Sequence, residues 1–328
     1  MENRKTVALR WRAKCARMEA AKRRREMRVR MVKALKKYWT YYLLLLPAIA
    51  YVAIFNYGPL YGVQIAFKDY RGALGILGSR WVGLKHFLNF FESYNFWMLI
   101  ENTFTLSLYS LAVGFPIPIL LALMLNEIRQ ARLKKAVQTI LYAPHFISTV
   151  VMVGILVTML SPSIGVVNTL RARLGLERIY FMTQPSSFRH LYVWSGVWQG
   201  MGWSAVIYLS ALSAVDPELH EAARIDGASR LMRIRHINIP AIQPTVVILF
   251  VMSVGQLASV GYEKIYLLQN DLNVNVSEVI STYVYKRGIE NTNYSFSAAV
   301  GLFNNVINIV LLLCANAVSH RLSQTSLF

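Results

Sequence analysis

DPELHEAARIDGASRLMRIRHINIP, residues 216–240, is a charged stretch lying between two long apolar segments. Its pattern is helical. Asp216 suits a helix N-cap, and Pro217 suits the first helical position, where a missing N–H costs nothing. Glu218 and Glu221 fall near the positive end of that helix. Gly227 accepts the positive φ that ends it. A second short helix is expected from about Ser229 to Asn238, with Pro240 closing the unit before the next apolar run. The stretch reads as a helix–turn–helix bracket at a membrane surface. The plain alternative is a charged loop between spans.

The rest of the chain supports the membrane reading. Hydrophobic residues make up 55% of the 328 residues and gather into long runs, a balance that places the chain among integral membrane proteins. The net charge of +19 is uneven, because residues 1–37 hold 15 Lys/Arg against Glu2, Glu19 and Glu26. This tail is read as a basic cytoplasmic segment, residues 1–37, forming a helix on anionic lipid headgroups. It lacks the short apolar core of a signal peptide. A nucleic-acid partner is disfavoured by the membrane span that follows directly. Cys15 and Cys314 stand at opposite ends and imply neither a metal site nor a disulfide framework.

The second domain is residues 38–328. Six apolar segments are expected to span the membrane, at about 38–57, 102–125, 138–160, 190–212, 241–261 and 298–318. Each is long enough for a hydrocarbon core about 30 Å thick. The predicted fold is all-α, with six transmembrane helices. With the N-terminus inside, the inner segments carry 24 Lys/Arg and the outer loops 11, so both termini and the bracket are placed in the cytoplasm.

Several chemistries are missing. There is no G-x-x-x-x-G-K-[ST] loop, H-E-x-x-H or paired-cysteine set, so no catalytic residue, metal or cofactor is assigned to this chain. Acids are nearly absent from the spans, which argues against a proton- or sodium-coupled pump. The late spans instead carry polar and aromatic residues at helical spacing. Trp194 and Trp198 share a face with Gln199 beside them. Ser253 and Gln256 form a second set, and Asn304, Asn305 and Asn308 a third. Interhelical hydrogen bonding accounts for any one of these. As a set they suit the wall of a path for a polyhydroxylated solute, because aromatic faces stack on sugar CH groups and amides match hydroxyls. Arg171, Arg173 and Arg178 on an outer loop could favour an acidic sugar, against the plainer reading of a solvated loop.

The bracket also carries a resemblance. Glu221-Ala222-Ala223, three residues, Gly227, nine residues, then Ile237-Asn238-Ile239-Pro240 resembles the "EAA" loop of ABC importer permeases, with Ile239 where Leu is usual. Ile225-Asp226-Gly227-Ala228 is similar to the carbohydrate-importer version. YGVQIAFKDY, YAPHFIST, YSFSAAVGLFNNVIN and the ending SQTSLF look like the permeases of complex oligosaccharides, alginate-type permeases included. The resemblance implies a type I importer fold in the bacterial inner membrane. It implies a second permease subunit, two ATP-binding subunits that hold ATP and Mg, and an extracytoplasmic solute-binding protein that delivers an oligosaccharide. Glu221, Ala222, Ala223, Asp226, Gly227, Ile237 and Pro240 would then form the ATPase-coupling element. Glu221 would pair with the ATPase or with Arg224, and Leu231, Ile234 and Ile237 would anchor the second helix. Two rivals stand beside this reading. One is a secondary transporter or channel. The other is a membrane enzyme of polysaccharide synthesis, which should show acidic clusters on cytoplasmic loops.

Overall fold

The computed structural model describes residues 36–323, together with Met18 and Lys33. The basic tail expected to lie on lipid falls almost wholly outside the described residues. The chain divides into two compact units, the first ending at Val63 and the second beginning at Gln64.

In the first unit, helix α1 (Trp39–Val52) contains Pro47 and buries none of its side chains. It continues through a π turn at Ala53–Tyr57. The second unit opens with a small antiparallel ribbon, β1 (Lys68–Asp69) against β2 (Arg80–Trp81), in which Lys68 faces Trp81. Helices α2 (Lys85–Phe91), α3 (Phe96–Gly114), α4 (Pro116–Asn126), α5 (Ala131–Tyr142), α6 (Thr149–Leu160), α7 (Val166–Arg173) and α8 (Pro185–Ser213) follow. The bracket contributes α9 (Pro217–Ile225), and α10 runs over Arg230–Val254. Helices α11 (Tyr262–Leu268), α12 (Ile280–Tyr285) and α13 (Tyr294–Ser323) complete the unit.

Among the described residues, four segments are long and apolar enough to cross a membrane: Trp39–Phe67, Phe96–Asn126, Arg230–Val254 and Tyr294–Arg321. A fifth is the pair Ala131–Phe146 and Thr149–Leu160, bent by 97°. The sixth expected span is α8. Its 29 residues reach about 43 Å. Arg189, His190, Ser195, Gln199 and three glycines make it too polar to stand with the others. That polarity is explained by its central place, since α8 packs on α3, α4, α5 and α10.

Three apolar clusters hold the second unit. One joins Leu106, Met152, Val193 and Ile265, a second joins Leu123, Ala205, Tyr208 and Ile242, and a third gathers Phe90, Leu99, Tyr283 and Phe296. Gly202 lets α8 approach the end of α5, because a Cβ there would lie 2.1 Å from the Leu141 carbonyl oxygen.

The breaks between helices are closed by amide side chains. Gln199 Nε2 donates to the Ile147 carbonyl (2.7 Å) inside the 97° bend. Asn102 Nδ2 donates to the carbonyls of Asn275 and Glu278. Fully buried Asn168 donates to Leu160, Ser161 and Ile179 carbonyls and accepts from the Ile179 N–H (2.8 Å). Asn273 Nδ2 bonds the carbonyls of Met182 and Leu268. Just past α10, Asn308 Oδ1 accepts from Ala258 N–H (3.0 Å) and its Nδ2 donates to Ser259 Oγ (2.6 Å).

Asn168→Ala would orphan a buried N–H and several carbonyls, at about 1–3 kcal/mol. The expected result is a clearly lower thermal midpoint in detergent. Exposed Arg173→Ala should stay within about 0.5 kcal/mol of wild type.

Candidate functional site

Two features stand out, the bracket and a polar cavity between the helices that flank it. In the bracket, the Asp216 carboxylate accepts from Glu218 N–H (3.0 Å), so α9 starts where the sequence places it. Its end is a glycine-turned cap. Ala228 N–H reaches the Ala223 carbonyl (2.8 Å), Gly227 N–H reaches Arg224 (3.1 Å), and Gly227 has φ +77°. Nothing lies within 4 Å of a Cβ at Gly227, so the backbone angle alone restricts the residue there. Ser229 Oγ caps the next helix by accepting from Met232 N–H (3.3 Å).

The second half of the bracket differs from expectation. Pro240 does not close a helix. A π turn over Ile234–Asn238 carries α10 straight on through Pro240 and Pro244. The wider turn lets Ile239 N–H bond Ile234, and it gives room for the ring that lacks an N–H of its own. Leu231 does not anchor this helix either, being 73% exposed. Ile234 packs on the core cluster around Leu212 and Ile242, and Ile237 is half-buried.

Glu221, Ala222 and Asp226 are exposed, and Ala223 is half-buried. Glu221 makes no ion pair with Arg224 among the described residues. Both line a groove of about 340 Å³ with Glu127, Arg129, His220 and Arg233. Arg233 is 6% exposed, and its Nε finds no partner, nor does His220 Nδ1. The groove therefore holds polar atoms unused by this chain.

The polar cavity lies between α3–α4, α8, the end of α10 and α11. It has two contiguous lobes of about 390 and 330 Å³ that share Ser110, Tyr192 and Ser204. The larger is also lined by Ser107, Tyr208, Ser253 and Gln256, the smaller by Gln199 and Lys264. These volumes suit a small ligand or a segment of a longer one. Ser107 Oγ and Ser110 Oγ are buried with no partner in the protein. Lys264 Nζ donates to the Tyr192 carbonyl (2.6 Å) and sits 4.7 Å over that ring. Burial pushes the Lys264 ammonium down to about 8.

Of the residues expected on a solute path, Gln256 and Gln199 line this cavity. Gln199 nevertheless commits its amide N–H to Ile147. Trp194 and Trp198 line neither lobe and are about half exposed, with Trp194 Nε1 donating to Tyr109 Oη (3.1 Å). Asn308 is committed to Ala258 and Ser259. Asn305 is exposed, and Asn304 is half-buried with Oδ1 unpaired. Helical spacing grouped these residues, but it did not reveal Ser107, Ser110, Ser204 or Lys264. The available signal was the run of serines at Ser107 and Ser110 inside an apolar span. On the outer loop, Arg178 bonds the Pro162 and Ser163 carbonyls, and Arg171 bonds the Glu177 carbonyl, so both help to hold their own loop.

Comparison with known proteins agrees with a bundle of this kind. Residues 114–324 match the family described as binding-protein-dependent transport system inner membrane component, and the chain belongs to that family of multi-pass transport permeases. It is 42% identical over 305 residues to the polygalacturonan/rhamnogalacturonan transport system permease protein YteP of Bacillus subtilis (strain 168), covering 93% of this chain and 95% of that one. Protein LplB of the same strain is 42% identical over 295 residues, covering 90% and 93%. The fold matches, with a TM-score of 0.82 and 44% identity, a chain in the crystal structure of a bacterial ABC transporter involved in the import of the acidic polysaccharide alginate. The match covers 90% of this chain and 99% of that one.

Gly227→Val forces a β-branched residue to positive φ, at about 1–2 kcal/mol. Trypsin should then cut at Arg224 and Arg230 several-fold faster than in wild type, measured by limited proteolysis in detergent. Gly227→Asn, which tolerates this region, should cut at close to the wild-type rate.

Proposed function

We propose that this chain is a membrane-spanning permease subunit of an ATP-driven importer for oligosaccharides, with acidic polysaccharide fragments such as alginate or pectin-derived chains as its substrate class. It pairs with a second permease subunit, takes its solute from an extracytoplasmic binding protein, and does no covalent chemistry. Two separate ATPase subunits hold ATP and Mg. The subunit sits in the bacterial inner membrane with both termini in the cytoplasm, as the basic-residue count favours.

The observation that carries this reading is the position of the bracket. Helix α8 ends at Ser213, α9 begins at Pro217, and α10 begins at Arg230. Both α8 and α10 wall the polar cavity. A displacement of α9 is therefore passed through very short connections to two walls of the cavity. The small Ala222 and Ala223 let a partner surface approach closely. The cap at Gly227 makes α9 and the head of α10 move as one body. Closure of the ATPases would drive that body and switch the cavity between its two sides. The names of the similar proteins, a polygalacturonan/rhamnogalacturonan permease and an alginate importer, support the choice of substrate.

Vesicles holding the assembled complex, its ATPases and its binding protein should import uronate oligosaccharides only with ATP. Inactivating the partner ATPase should abolish uptake. Persistent uptake would favour a channel or secondary transporter and overturn the reading. In the same vesicles Gly227→Val should insert normally and hydrolyse ATP, while uptake falls at least tenfold.

A further inference from the structure

The smaller lobe of the cavity contains a cation that the fold does not neutralise. Lys264 stands in the first turn of α11, and its Nζ reaches back to α8. The Tyr192 carbonyl takes one of its N–H donors and the Tyr192 ring faces another side. An ammonium has three donors. No other acceptor in hydrogen-bond range is found for it among the described residues, and no carboxylate lies within 4.0 Å. Gly196 keeps the space open, since a Cβ there would sit 3.1 Å from Nζ.

The surroundings are equally one-sided. The ionisable side chains lining the two lobes are Tyr192, Tyr208 and Lys264, with no acid among them. Ser110, which lines both lobes, and Ser107, which lines the larger one, carry buried hydroxyls without partners. A half-buried ammonium without a counter-ion is costly to the fold, and the depression of its basicity reflects that cost. An arriving carboxylate would relieve that cost and favour the charged form. A rotation of the Ser110 side chain would turn its unpartnered hydroxyl to a hydroxyl of the same ligand.

We propose that Lys264, with Ser110 where the two lobes meet, forms a subsite for the carboxylate-bearing sugar residue of an acidic oligosaccharide, and that Lys264 sets the preference for acidic over neutral chains. The proposal rests on the oligosaccharide-importer reading above. Lys264 is the specificity-determining charge, and Ser110 positions the sugar ring. Stacking on Tyr192 is not required, because its ring already carries the ammonium.

The test uses the assembled complex without its binding protein, so that preference reports the permease alone. Equilibrium dialysis measures binding of labelled galacturonate and mannuronate trisaccharides and of their carboxyl-reduced, neutral counterparts. Wild type should bind a uronate trisaccharide at least tenfold more tightly than the neutral one. Lys264→Met should erase that ratio while neutral binding stays within threefold, and Lys264→Arg should keep most of it. Neutral binding also reports folding. If Lys264→Met fails to assemble, Lys264→Gln, which keeps a donor near Tyr192, replaces it in the same comparison. A wild type with no uronate preference, or a preference that survives loss of the charge, would overturn the subsite. If wild-type vesicles nevertheless import oligosaccharides with ATP, the importer reading stands and only the subsite falls. Wild-type vesicles that import none would overturn the importer reading and the subsite together.

Discussion

Pairing of main-chain polar groups at membrane depth is the constraint on which this structure depends. Hydrocarbon offers no partner to a free N–H or C=O, so each interruption of a helix must be closed from within the protein. This chain interrupts its helices repeatedly, within its spans at Ile147 and after Val254, and beside them at Leu160–Ser161 and around Asn275–Glu278. At each break an amide side chain reaches the exposed backbone: Gln199, Asn308, Asn168 and Asn102 respectively. An amide suits the task because it both donates and accepts, and Asn168 and Asn308 use both ends. A carboxylate could only accept, and it would add a charge that is costly to bury.

The same economy shapes the cavity. Where α10 stops, the backbone from Gln256 to Gly261 is irregular, and it turns inward to line the larger lobe. Non-helical backbone at this depth is tolerated where it borders a polar space. The hydroxyls of Ser107 and Ser110 are left unpaired at that border, and Lys264 closes the other lobe. The bracket sits at the opposite end of two of the cavity's walls, joined to them through Ser213–Pro217 and through the capped turn at Gly227. A stiff handle close to a polar space is an arrangement in which a small external displacement becomes a change of access.

Much of the local structure was legible in the residues. The Asp216 cap, Pro217 at the helix start and positive φ at Gly227 are local properties, decided within a few residues, and they stand where the pattern puts them. The apolar runs likewise mark the spans other than α8, because exposing a long helix to lipid depends on composition more than on partners. Pro240 shows where local rules stop. A proline in a helix ordinarily ends or kinks it, yet the π turn before it absorbs the missing N–H, and the helix continues because its far side is held in the bundle. Leu231 shows the same limit, since it was expected to anchor the second helix of the bracket and the bundle left it 73% exposed.

Sequence alone determined that the chain is an all-helical membrane protein with a capped, glycine-turned bracket, and the EAA spacing pointed to its family. Tertiary structure decided which polar residues are free to meet a solute. Gln199, Asn308 and Gln256 look alike as amides within the expected spans, but the first two are committed to partners across a break, and Gln256 lines the cavity. Periodicity reports the face of a helix, whereas the partners of a side chain depend on where another segment, distant in sequence, is interrupted. For that reason Lys264, 72 positions from the carbonyl it bonds, could be recognised only once α8 and α11 were brought together.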